Sequence, residues 1–248
     1  MPTHVYLSPH LDDAVFSCGG LIARQVADGD FVTVVTVCAG NPPAGVLSPF
    51  ARSLHERWGE TITDRRIEDR MACGRLGASV HHLDIPDAIY RLGPEDEFLY
   101  ASEEAIFGPL HPSEMGLVEH LTTVLLEVIP DEASVYSPQA IGGHVDHRLV
   151  RRAAVHLGRS LSYYYDLPYA ARQGQLPADL PLVSGKRVKI QLSENEIEEW
   201  TAATAAYRSQ LSTFWPSESA IYEELSRFHD EIGGLPLIVP NGTNDGTS

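Results

Sequence analysis

The chain has 248 residues, 43% apolar and 21% charged, a balance that allows a full buried core and excludes a disordered or fibrous protein. Its formal net charge of −16 repels phosphate backbones and anionic membrane surfaces, so nucleic acid is a poor candidate partner and neutral or cationic ligands stay open. Three cysteines (Cys18, Cys38 and Cys73) without metal-finger spacing, no basic-then-apolar leader and no apolar run of membrane length point to a reduced cytoplasm without a membrane span.

Short β-branched runs alternate with amphipathic stretches, the rhythm of βαβ units around a largely parallel sheet. The first strand is expected at Val5 to Ser8, a helix at 17–28, and after Asp28-Gly29-Asp30 a doubly buried central strand from Phe31 to Cys38. A Pro/Gly-rich loop from Ala39 to Pro49 leads to helical stretches ending near Leu76, and Val80 to Leu83 reads as a third strand. Leu117, Val118, Leu121, Val124, Leu125 and Val128 recur at spacings of three and four, which predicts a helix over 114–129 with one face on the sheet.

A strand from Ser134 to Ser137, a helix over about 146–159 and a strand from Leu161 to Tyr165 follow, then a proline-punctuated loop over 168–186. Val188 to Leu192 is expected as an edge strand. Ser193 with Glu196 forms a capping box opening a helix to about Leu211, and another helix is expected over 217–230. The expected architecture is one α/β domain over 1–239, a Rossmann-like open sheet flanked by helices, with a disordered polar tail at 240–248. Oligomeric state has no signal in the sequence, and a homo-oligomer stays open.

In an open parallel sheet, ligands sit at the carboxyl ends of the strands. Ser8-Pro9-His10-Leu11-Asp12-Asp13 stands just after the first strand, and His10 and Asp13 are spaced to face one ion. The spacing alone is weak, since His81 and Asp84 share it; position singles out the first pair. Gly142-Gly143-His144-Val145-Asp146-His147 follows the Ser134 strand, two histidines bracketing an acid after glycines that permit close approach. Taken alone, that cluster also reads as a helix N-terminus with incidental histidines. No Gly-x-Ser-x-Gly elbow, P-loop or Gly-x-Gly-x-x-Gly occurs, which disfavours a serine hydrolase or a nucleotide-dependent enzyme.

Pro-His-x-Asp-Asp after strand one, with His-x-Asp-His far downstream, resembles the PIG-L/LmbE-like family of zinc N-acetylglucosaminyl deacetylases. Arg65-Arg66-Ile67-Glu68, the Asp84 to Asp87 segment and Tyr207-Arg208-Ser209-Gln210 are similar to further family patterns, so the likeness covers most of residues 3 to 215. The resemblance implies zinc held by His10, Asp13 and His147, with Asp12 as general base. It implies that His144, if held charged by Asp146, stabilises the oxyanion or protonates the departing amine. Arg65 and Asp87 match positions that contact the sugar in some relatives, and Trp58, Tyr90 and Arg91 are candidates for the pocket wall. Two departures stand out: Gly142 occupies a position where some relatives carry an assisting tyrosine, and Ala14 one that is often acidic. The implied partner is a small N-acylated sugar or glycoconjugate; an amidase for a sugar-thiol conjugate and a catalytically silent sugar-binding module are the alternatives.

Overall fold

The computed structural model describes residues 1–45, 47–59, 61–172 and 174–241, without the side chain of Ser212; most of the expected polar tail, 242–248, lies outside the described residues. Strands β1 (Thr3–Ser8), β2 (Phe31–Thr36), β3 (Ser79–His82), β4 (Ser134–Pro138), β5 (Leu161–Tyr164), β6 (Lys186–Ile190) and β7 (Leu235–Val239) form, among the described residues, one seven-stranded sheet in the order 3-2-1-4-5-7-6. The first five are parallel, and β7 pairs antiparallel with both β5 and β6. The expected open, mostly parallel α/β sheet is present. The order reverses at β1, which pairs with β2 on one side and β4 on the other, so the crevice beyond the carboxyl ends of β1 and β4 is the topological switch point.

Helices cover both faces: α1 (Asp13–Ala27), α2 (Pro49–Trp58), α3 (Ile62–Arg75), α4 (Glu103–Ile106), α5 (Met115–Val128), α6 (Val145–His156), α7 (Glu194–Thr204), α8 (Arg208–Phe214) and α9 (Glu218–Ile232). Alternation along β1 divides the core, as successive strand side chains must point to opposite faces. Val5 and Leu7 join Val118, Leu121 and Leu125 of α5 and Leu149 of α6, whereas Tyr6 joins Phe16 and Ile22 of α1 and Trp200 of α7.

Gly19 and Gly20 let α7 lie close against α1. Trp200 is fully buried there, and its indole N–H donates to the carbonyls of Val15 and Phe16 at 2.8 and 3.1 Å. A Cβ at position 19 would stand 2.4 Å from Trp200 Cδ1. Gly19→Val is therefore expected to destabilise the fold by about 1–3 kcal/mol through overpacking, since glycine and valine differ little in helix propensity. An unchanged denaturation midpoint would show that α7 does not depend on this contact.

Several boundaries depart from the sequence reading. Helix α1 begins at Asp13 rather than 17, because the Asp12-Asp13 pair that reads as a polar loop sits at a helix N-terminus, where carboxylates are favoured. Val37 and Cys38 lie past the end of β2: Val37 donates to the carbonyl of Ser8, closing the β1/β2 ladder, and Cys38 to that of Pro9, tying down the turn that carries His10. Strand β7 was not expected, since Pro236 interrupts its apolar run; it enters between β5 and β6, leaving β6 at the edge as anticipated. The single helix expected over 193–211 is two, α7 and α8, with the capping box of Ser193 and Glu196 present. Among the described residues, no helix is long and apolar enough to cross a membrane.

Candidate metal-dependent active site

Ser8, the last residue of β1, shapes the first motif: its hydroxyl donates to the carbonyl of His10 and accepts the backbone N–H of Ala14, at 2.7 and 2.9 Å. This folds the chain tightly enough for Asp13 to accept the backbone N–H of His10 at 2.8 Å and to stand 3.1 Å from its Nδ1. The second motif arrives from β4 through Ala140, Gly142 and Gly143, all at positive φ, with His144 capping α6 and Asp146 and His147 in its first turn. The two motifs meet. One ring nitrogen from each of His10, His144 and His147 lies within 4.8 Å of the others, inside the roughly 4 to 5 Å that ligands of one ion span, and one possible ligand atom from each of His10, Asp12 and Asp13 is equally close.

Hydrogen bonds distinguish the three imidazoles. His147 Nδ1 donates to Asp166 Oδ1 at 2.7 Å, which leaves the Nε2 lone pair 3.3 Å from Asp13 Oδ2, buried and without a hydrogen bond. His10 donates Nε2–H to Asp146 Oδ2 at 3.0 Å, leaving Nδ1 toward Asp13. His144 does the reverse: its Nδ1 accepts the backbone N–H of Asp146 at 3.2 Å, so the neutral ring carries its proton on Nε2. The first two are free to hold a cation, and the third is an N–H donor.

The electrostatics fit the same division. Although burial alone would favour the neutral ring, Asp13 and Asp166 push His147 up to about 10. His10 is likewise raised despite burial, by Asp13 and Asp146. Asp13 and Asp146 are held well below the usual carboxylate range against the effect of burial, the first by His147 and His10, the second by Arg91 and His10. A field that draws protons onto two imidazoles also draws a metal ion. His144 goes the other way, held neutral by burial and by the charge of His10. Asp12 is pushed up to about 7, by burial first and then by Asp13, and its carboxylate makes no hydrogen bond among the described residues.

These groups open on a cavity of about 310 Å³, whose wall includes His10, Asp12, Asp13, His144, Arg65 and Asp87. Trp58, Phe107 and Phe214 supply an apolar side. Arg65 stacks on Trp58 at 4.7 Å, and its buried Nε has no partner among the described residues; Asp87 accepts the N–H of Ile89 and stands 3.7 Å from His10 Nε2. A larger hollow of about 790 Å³ behind α6 contains none of the expected site residues.

Three expectations are corrected. The carboxylate of Asp146 bonds to His10, Arg91 and the N–H of Ala88 rather than to His144, so it does not hold His144 charged. Arg91 does not line the cavity: it is buried, bridging Asp146 and Glu114, and its partners lie too far along the chain to show as a local pattern. Tyr90 turns away to bond His55, leaving only Trp58 of that trio in the wall. Sequence reasoning also missed Asp166, although it sits just past β5 at the edge where the rule for parallel sheets looks for functional groups.

Comparison with known proteins finds relatives and solved structures named as deacetylases. The chain is 35% identical over 185 residues to the 2'-N-acetylparomamine deacetylase of Streptomyces fradiae, a match spanning 71% of this chain and 61% of that protein's length. It is 24% identical to the 1D-myo-inositol 2-acetamido-2-deoxy-alpha-D-glucopyranoside deacetylase of Streptomyces avermitilis, over 92% of this chain and 75% of the relative. The zinc-inhibited form of teicoplanin deacetylase superposes with a TM-score of 0.83 at 28% identity, covering 97% of this chain and all of that one. The A40926 pseudoaglycone deacetylase superposes with a TM-score of 0.73 at 31% identity, covering 96% of each. The family model described as GlcNAc-PI de-N-acetylase matches residues 5–157, more than half of the sequence, and the chain belongs to this PIG-L family.

Proposed function

We propose that residues 1–239 form a zinc-dependent deacetylase domain that hydrolyses the acetamide of an N-acetylated aminosugar. The observation that carries this reading is that Asp13 Oδ2 stands 3.1 Å from His10 Nδ1 and 3.3 Å from His147 Nε2 at the β1/β4 switch point, beside a second carboxylate, Asp12, with no hydrogen bond among the described residues. The names of the relatives support the substrate class, since each describes removal of an acyl group from a sugar-bearing molecule or is called simply a deacetylase. The three free, buried cysteines support a reducing compartment and hence a cytoplasmic location.

His10 Nδ1, Asp13 and His147 Nε2 would hold the ion; imidazole with carboxylate is a catalytic zinc ligand set, and the orphaned His147 Nε2 is the atom such an ion would satisfy. When bound, zinc polarises the amide carbonyl and makes water a nucleophile at neutral pH. Asp12 takes the proton of the attacking water and delivers it to the departing amine nitrogen. His144, neutral and protonated on Nε2, donates to the carbonyl oxygen as negative charge gathers there. Asp146 and Asp166 fix the rings of His10 and His147. Arg65 and Asp87 face the sugar from the cavity wall.

Asp166→Asn keeps an acceptor for the N–H of Ile141 but removes the charge behind His147. Zinc affinity should fall about 10- to 100-fold, as read by competition with a chromogenic chelator. Unchanged affinity would show that Asp166 braces the loop and not the ligand. The function itself is tested by incubating the protein with 2'-N-acetylparomamine, a GlcNAc-inositol and an N-acyl glycopeptide pseudoaglycone. At least one should release free amine and acid in equal amounts, and none would if the fold served only as a binding module.

A further inference from the structure

Tyr169 lies in the loop that follows β5, a stretch with no readable chemistry in sequence, yet its side chain lines the cavity together with His10, Asp12, Asp13 and His144. The base of the ring rests on Gly142, where a Cβ would stand 2.8 Å from Tyr169 Cγ and 2.9 Å from Cδ1. Gly142 is held at φ +88, so a side chain there is disfavoured by conformation as well as by space. The ring stands edge-on to His147, with centroids 5.9 Å apart, and to Phe107 at 6.1 Å. Its backbone is fixed from both sides: the N–H of Gly174 donates to the carbonyl of Tyr169, and the N–H of Ala170 to that of Asp166, both at 2.8 Å. The hydroxyl makes no hydrogen bond among the described residues.

A half-buried phenol with its ring clamped and its hydroxyl unspent, in a cavity rich in carboxylates, is a neutral hydrogen-bond donor aimed at a ligand. We propose that Tyr169 is a further catalytic residue, whose O–H donates to the substrate's amide carbonyl oxygen as that oxygen gains negative charge, and that the absence of a side chain at Gly142 makes room for it. The proposal rests on the deacetylase reading above. A phenol of ordinary acidity, with a pKa of about 10, is protonated at neutral pH and lends a hydrogen bond without giving up its proton. With His144, which lines the same cavity, it forms a pair of donors, and together they answer the need of a tetrahedral oxyanion for preorganised N–H or O–H groups.

Tyr169→Phe keeps the ring against Gly142 and His147 and removes only the hydroxyl. Turnover, zinc content and affinity for a methylphosphonamidate, in which tetrahedral phosphorus replaces the acetyl carbonyl carbon, are measured on the same preparations. The expected result is a fall in kcat of about 10²- to 10³-fold with little change in KM, a similar loss of phosphonamidate affinity and full zinc content. Wild-type kcat would overturn the proposal, and so would a raised KM alone, which would make Tyr169 a sugar contact. Parallel loss of zinc would overturn it too, by making the ring a prop for His147. If the wild-type enzyme turned over no acetylated sugar and bound no phosphonamidate, the deacetylase reading would fail and this inference with it; failure of the mutant's expected behaviour alone leaves that reading standing.

Discussion

Asp12→Asn should retain a full complement of zinc while kcat falls by about 10² to 10⁴, the range for loss of a positioned general base. The two adjacent aspartates share a functional group but not an environment. Asp12 lines the cavity with a carboxylate that makes no hydrogen bond among the described residues, and burial beside Asp13 raises its proton affinity to about 7. A carboxylate so placed is suited to accepting a proton near neutrality and passing it on. Asparagine is nearly isosteric, so cavity shape and KM should change little. Near-wild-type turnover would remove Asp12 from the proton path, and zinc loss would make it a ligand instead.

Asp13→Ala should behave differently, losing zinc and activity together. Asp13 accepts the backbone N–H of His10, stands 3.1 Å from His10 Nδ1 and lies 3.3 Å from His147 Nε2, so it is the carboxylate common to both imidazoles. Its removal takes away a proposed ligand and the anchor that orients another. Two buried imidazoles without a carboxylate between them have little to offset the cost of binding a dication. Metal analysis and kcat on one preparation check the pair: Asp13→Ala should be metal-poor and inactive, Asp12→Asn metal-replete and slow. If Asp13→Ala retained stoichiometric zinc, the assigned ligand set would be wrong.

Much of the candidate site was legible in sequence because each motif is contiguous. His10, Asp12 and Asp13 lie within four residues after a plain apolar strand, and His144, Asp146 and His147 open one helix. The rule that parallel sheets bind at strand carboxyl ends then brings the motifs together without coordinates. What escaped was set by distant partners. Asp166 acquires its role only through His147, nineteen positions back, and Arg91 only through Asp146, fifty-five positions on. The tyrosine missing from position 142 reads in sequence as a loss; in space the vacancy is filled by a ring from residue 169. In the fold, the omitted strand β7 owes its pairing to neighbours remote in sequence, while Pro236 masks its β pattern.

One metal ion, held by His10, Asp13 and His147, is proposed to support acetamide hydrolysis in the cavity at the β1/β4 switch point. The most direct test is to strip the purified protein with chelator and titrate zinc back, following amine release from an N-acetylated aminosugar. Release should fall to background on stripping and recover in proportion to added zinc up to about one ion per chain, as expected for a single mononuclear site. Undiminished hydrolysis by exhaustively metal-free protein would contradict the account.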